Sequence, residues 1–177
     1  MNEEILAYIN SLPLGGGYTW DKNNPTTGVQ HDLVYKGSTI LAKDVNGSTY
    51  CCGITFQIWF ESVGKYLDIS VNDMRQIQRY WYVAVPNYTR GCLDALVQFG
   101  LGEEVKWSQV LPGDFLQLWR KSGSGHSVVI MGKELNGVEY FSTQRSTNGI
   151  GKYIEYWSTA VHNPIVKLHI VRANTSI

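Results

Sequence analysis

The chain has 177 residues and equal numbers of acidic and basic side chains, 15 of each, for a formal net charge of +0. That length holds one domain with a sizeable core, and 44% hydrophobic against 17% charged residues excludes a disordered chain. No Lys/Arg run provides the electrostatic footprint of a nucleic-acid binder, whereas aromatics at 12% are enough to fill a core and to line a groove for sugar or peptide.

The first residues, MNEEILAYINSLPLGGG, carry acid where a secretory leader needs base. No apolar run approaches the roughly 20 residues of a membrane span. The sequence therefore reads as a soluble, unexported domain over 1–177, provided no leader has been trimmed. Residues 2–12 predict a short amphipathic helix, with Ile5, Leu6 and Ile9 at helical spacing before Pro13. GGGYTWDKNNPTTG is a loop by its Gly, Asn and Pro content. DLVY and TILA give weak strand signals, and NGS makes a turn just ahead of Cys51.

Helical spacing begins at the cysteines. Cys52, Phe56, Trp59, Phe60, Val63 and Leu67 form one apolar stripe, with Gln57 and Glu61 off it. A second helix is predicted over 70–82, with Ser70 as N-cap and Asp73 completing a capping box. A third covers 89–99 and stops at Gly100. After residue 110 the period becomes two: PGDFLQLW is a turn into a strand, and HSVVIMG and VEYFSTQ flank an LNG turn. YIEYW and IVKLHIVRA follow as two further strands. Helices first and an antiparallel sheet after them predict an α+β domain.

Three cysteines, two of them adjacent, make no disulfide framework, and their spacing suits no zinc site. Cys51 and Cys52 instead stand where a helix begins. There the helix dipole and unpaired N–H groups favour a thiolate and an oxyanion, although a small buried thiol is the plainer alternative. The stripe puts Cys52 in line with Phe56, Phe60 and Val63, hence buried, and Cys51 at its edge.

A nucleophilic thiol needs an imidazole to hold its proton and a polar group to orient that imidazole. His169 shares a strand face with Lys167 and reads as solvent-facing. His162 sits in an HNP loop, and His31 lies in an irregular region. His126 differs: it follows KSGSG and opens a strongly apolar strand. If HSVVIMG and VEYFSTQRS pair through a turn near 133–137, His126 falls opposite residues between about 144 and 147. Gln144 lies in that range, with Ser142, Ser146 and Asn148 as rivals.

Taken in order, YCCGITFQIW, LPGDFLQLW and GHSVVIMG resemble the NlpC/P60 superfamily of papain-like cysteine peptidases and amidases over residues 50–144. The resemblance implies a papain-like fold, with N-terminal helices packed on a C-terminal antiparallel sheet. Its Cys-Ser-Gly motif lands on Cys51, Cys52 and Gly53, which makes Cys51 the nucleophile and Gly53 a close-contact residue between helix and sheet. His126 becomes the base and Gln144 the third member. Cysteine before histidine is the order of the unpermuted enzymes, unlike the permuted lipid acyltransferases.

Two positions depart from the family. Tyr50 stands where Asp usually precedes the cysteine, and Gln144 where the third residue is usually His. Tyr18 and Trp20 match an upstream Tyr-x-Trp but lie farther from the cysteine than usual; they are read as packing locally, with a Tyr18 hydrogen bond near the thiolate or substrate as the alternative. Asp114 is read as the turn residue of PGD. The implied substrate is an amide bond in a bacterial cell-wall peptide, with no metal or organic cofactor. The alternatives are an amidase acting on a non-wall substrate and a non-catalytic glycan or peptide binder on the same fold.

Overall fold

Helix α1 (Asn2–Ser11) turns Ile5 and Ile9 into the core and ends at Leu12, ahead of Pro13. The computed structural model describes residues 1–20, 27–82, 89–157 and 163–174. Strand β1 (Gly15–Gly16) follows α1, and the weak strand signals become a separate hairpin of β2 (Leu33–Tyr35) and β3 (Ser38–Leu41). The helices expected after α1 are α2 (Cys51–Ser62), α3 (Val71–Trp81) and α4 (Cys92–Val97), the last shorter than the 89–99 its pattern suggests. Ser70 caps α3 by accepting from the Asp73 backbone N–H at 3.0 Å, the predicted capping arrangement.

The remaining strands are β4 (Gly102–Glu104), β5 (Phe115–Arg120), β6 (Gly125–Glu134), β7 (Gly137–Gln144), β8 (Gly149–Tyr156) and β9 (Ile165–Ala173). Among the described residues, seven strands form one antiparallel sheet in the order β1-β8-β7-β6-β5-β9-β4. The chain is thus a mixed α+β domain. The expected order of helices and then sheet needs correcting, because β1 joins the sheet edge before α2 begins. Three consecutive glycines make that possible: Gly15, Gly16 and Gly17 all have φ above +80°, a region that costs a side-chain-bearing residue.

Alternation along the strands sorts side chains to two faces. Phe115, Val129, Phe141 and Val171 meet the helices, with Phe56, Trp59 and Trp81 packed above them. Leu116, Leu118, Val128, Ile130, Tyr140 and Ile170 form a smaller core on the other face. No described helix is long and apolar enough to cross a membrane.

Helix α2 is more enclosed than its stripe predicts. Every residue from Gly53 to Phe60 is buried, including Gln57. The amide of Gln57 is satisfied by donating to Tyr8 Oη at 3.0 Å and accepting from the Gln30 backbone N–H at 2.8 Å. Gly53 is a close-contact residue, but its neighbour is not the sheet. A Cβ there would stand 2.2 Å from the Gly28 carbonyl oxygen, so the glycine seats the loop at 28 against the helix.

Candidate active site

The N-terminus of α2 presents Cys51 and Cys52 with no side-chain cap over its first N–H groups, which are the unpaired donors of any helix start. All three cysteines are free thiols. The two adjacent sulfurs lie 4.0 Å apart, and both residues are half-buried. Cys52 packs on the main core, whereas Cys51 does not belong to it.

Their electrostatics differ sharply. The Cys52 thiol, the His126 imidazole and the Ser127 backbone N–H are the groups that favour the charged form of the Cys51 sulfur. Together they outweigh burial and hold its pKa well below the ordinary thiol value, the contact from Cys52 being the largest cause. Cys52 is pushed well above that value, first by donating to its neighbour and then by burial. Burial, with the Asp94 charge adding to it against two backbone hydrogen bonds, pushes Cys92 up to about 12.

His126 opens β6 as the sequence indicates. The β6–β7 register pairs Val129 with Phe141, and continuing it brings His126 abreast of Gln144. The side chains meet: His126 Nε2–H donates to Gln144 Oε1 at 3.1 Å. With Nε2 so engaged, Nδ1 is the nitrogen left for sulfur. Of the rivals, Ser142 is buried and donates to the Ser127 carbonyl at 2.7 Å. Asn148 closes a turn in the left-handed conformation, and Ser146 stands on the cavity wall.

Two hydroxyl pairs lock α2 and the residues leading into it to the sheet beside these residues. Thr49 Oγ1 donates to Thr143 Oγ1 at 2.7 Å, one residue before Gln144. Thr55 Oγ1 lies 2.8 Å from Ser127 Oγ, one residue after His126, and 2.8 Å from the Cys51 carbonyl oxygen. Trp81 Nε1–H donates to the same Thr55 oxygen at 3.1 Å. All four hydroxyl-bearing residues are buried.

A cavity of about 550 Å³ runs from His126 and Gln144 along the sheet, walled by Tyr18, Tyr140, Tyr153 and Arg120. Tyr18 therefore does more than pack locally. A parallel bridge to Thr49, with Thr49 N–H donating to the Gly17 carbonyl at 3.2 Å, carries it to the start of α2. Burial, reinforced by the nearby Cys51 charge, pushes its hydroxyl pKa up to about 12. Trp20, by contrast, is 48% exposed.

His31 and His169 stand apart from this cluster. His31 pairs with Glu61 at 2.9 Å on the surface. His162 lies outside the described residues. His169 corrects its solvent-facing reading: it is half-buried, opposite Gln117, and its Nε2 is enclosed without a hydrogen-bond partner. The strand alternates as expected, but the face that carries His169 also carries Val171 and Ala173 into the main core. Among the described residues no group of three His, Cys, Asp or Glu is placed to hold a metal ion. Asp114 acts as more than a turn residue, since Arg172 donates to both of its oxygens at 2.8 Å.

Sequence reasoning missed Tyr140, Arg120 and Glu155. The available signal was alternation, which sets Tyr140 on the face of Gln144 and puts a charged residue inside YIEYW. Comparisons with protein-family models, curated proteins and solved structures give no match to this chain.

Proposed function

We propose that this chain is a cysteine-dependent amide hydrolase with a papain-like, NlpC/P60-type arrangement, and that its substrate is a peptide of the bacterial cell wall. One observation carries the reading. A thiol at a helix N-terminus is held well below its ordinary pKa by its neighbouring thiol and by an imidazole whose Nε2–H donates to an amide oxygen.

The chemistry follows from those contacts. Cys51 sulfur attacks the amide carbonyl and forms a thioester. Its proton, held by His126, passes to the departing amine as the C–N bond breaks. Water then attacks the thioester, His126 takes a proton from it, and Cys51 leaves as thiolate. Gln144 holds the Nε2–H tautomer of His126 throughout. The backbone N–H groups at the start of α2 face the negative oxygen of each tetrahedral intermediate. The cavity beyond His126 receives the substrate, its tyrosine walls suiting the flat faces of peptide groups or sugar rings. The same walls are what a non-catalytic binder on this fold would use.

Incubation with purified muropeptides, read by mass spectrometry, tests the reaction. Cleavage is expected with the native chain and with Cys52→Ala, and none with Cys51→Ala. Full activity in Cys51→Ala overturns the assignment. Iodoacetamide labelling separates enzyme from binder. Cys51 should label rapidly down to pH values below the ordinary thiol range, and Cys92 only on unfolding; equal, slow labelling of both supports the binder.

A further inference from the structure

An amide is a two-ended group, and only one end serves His126. With Gln144 Oε1 facing the imidazole, Nε2 carries the proton and Nδ1 is left as the base toward Cys51. With the NH2 end turned in, Nε2 would have to accept, the proton would move to Nδ1, and the ring could not take one from sulfur. What fixes the amide therefore matters as much as its presence.

Its own hydrogen bonds do not fix it cheaply. Gln144 Nε2 is buried with no partner, a state that ordinarily favours turning the group over. The opposing contact comes from Tyr140. Its hydroxyl lies 3.2 Å from Gln144 Oε1, the oxygen that also accepts from His126, so the oxygen end gathers two donors. The ring itself is buried and meets the His126 ring edge-on at 5.5 Å.

Tyr140 has one proton and a second acceptor in reach, Glu155 Oε2 at 3.1 Å. An unpaired carboxylate would win that proton. Arg120 restrains it, donating from Nε at 2.9 Å and from Nη2 at 2.7 Å to the two Glu155 oxygens. The ion pair is mostly enclosed, with side chains 20% and 11% exposed, so solvent screens it weakly.

We infer that Tyr140 is a positioning residue: its hydroxyl, held against Glu155 and Arg120, sets the orientation of the Gln144 amide and through it the tautomer of His126. The inference rests on the proposed thiol chemistry. It extends that chemistry to three residues on β5, β7 and β8 behind the imidazole.

The test is Tyr140→Phe, which keeps the ring and removes only the hydroxyl. Alkylation of Cys51 by iodoacetamide is followed against pH, alongside thermal melting. Loss of one such contact should slow labelling at neutral pH about tenfold and move its midpoint to higher pH. The double variant Tyr140→Phe/Gln144→Ala should label no more slowly than Gln144→Ala alone, because a residue acting through the amide adds nothing once the amide is gone. Tyr35→Phe, which removes a hydroxyl bonded to the Leu67 carbonyl far from the site, should leave the profile unchanged.

An unmoved profile in Tyr140→Phe, or additive losses in the double variant, overturns the positioning role while leaving the thiol chemistry standing. A native chain whose Cys51 labels no faster than Cys92 removes that chemistry instead, and this inference with it.

Discussion

At Cys51 and Cys52 two thiols of one type, one peptide bond apart, are driven to opposite acidities because Cys52 donates to Cys51 and only Cys51 is also favoured as a thiolate by His126 and Ser127. Burial and nearby charge also set the acidity of a residue outside the site. Burial, then the positive charges of Arg90 and Lys167, lower the pKa of His169 against the opposing pull of Glu104 and Asp94. Its folded value lies below the unfolded value of about 6.5, so the unfolded chain takes up the proton first as pH falls. Stability from the neutral ring is complete above about pH 6.5 and is lost as pH drops from there toward the folded pKa. His169→Gln should therefore melt with a shallower decline in Tm between pH 7 and pH 5 than the native chain. An identical slope would show that the ring titrates as it does when unfolded.

At the scale of elements, the site depends on how α2 sits on β6 and β7. Thr55 is the joint: it touches the Cys51 carbonyl, Ser127 and Trp81 at once. Thr55→Val keeps the shape but leaves Trp81 Nε1 and the Ser127 hydroxyl buried without that partner, a loss of about 2–3 kcal/mol in unfolding free energy. Denaturant unfolding would measure it, and Thr55→Ser should recover most of the loss. The helix and its first residues were legible in the sequence, since apolar spacing and the break before Cys51 mark them. This joint was not, because a hydroxyl in a helical pattern carries no sign of what faces it. Gln57 made the same point, reading as off the stripe when the helix is covered all round.

For the whole molecule, both ends of the chain are tied to the PGD turn through one buried carboxylate. Asp114 accepts from Arg172 on β9, from Asn2 Nδ2 at 3.1 Å and from the Leu111 backbone N–H at 2.8 Å. Asp114 is fully buried, whereas Arg172 is 25% exposed and also donates to the Gln109 carbonyl, so Asp114→Ala should cost about 2–3 kcal/mol, chiefly for the donors left without an acceptor. Asp114→Leu/Arg172→Met should cost clearly less, and equal costs in urea melts would show that the pair contributes little. The sequence by itself determined the elements with strong periodicity, the turn chemistry of PGD and LNG, the start of α2 at Cys51 and the range of strand partners open to His126. These are consequences of local backbone and side-chain spacing. Tertiary structure alone decided that Gln144 rather than Ser142 or Asn148 meets His126, that β1 closes one sheet edge, and that Tyr140, Arg120 and Glu155 stand behind the imidazole. Each of those contacts joins residues far apart in the chain, and their distances depend on twist, register and packing that no local pattern encodes.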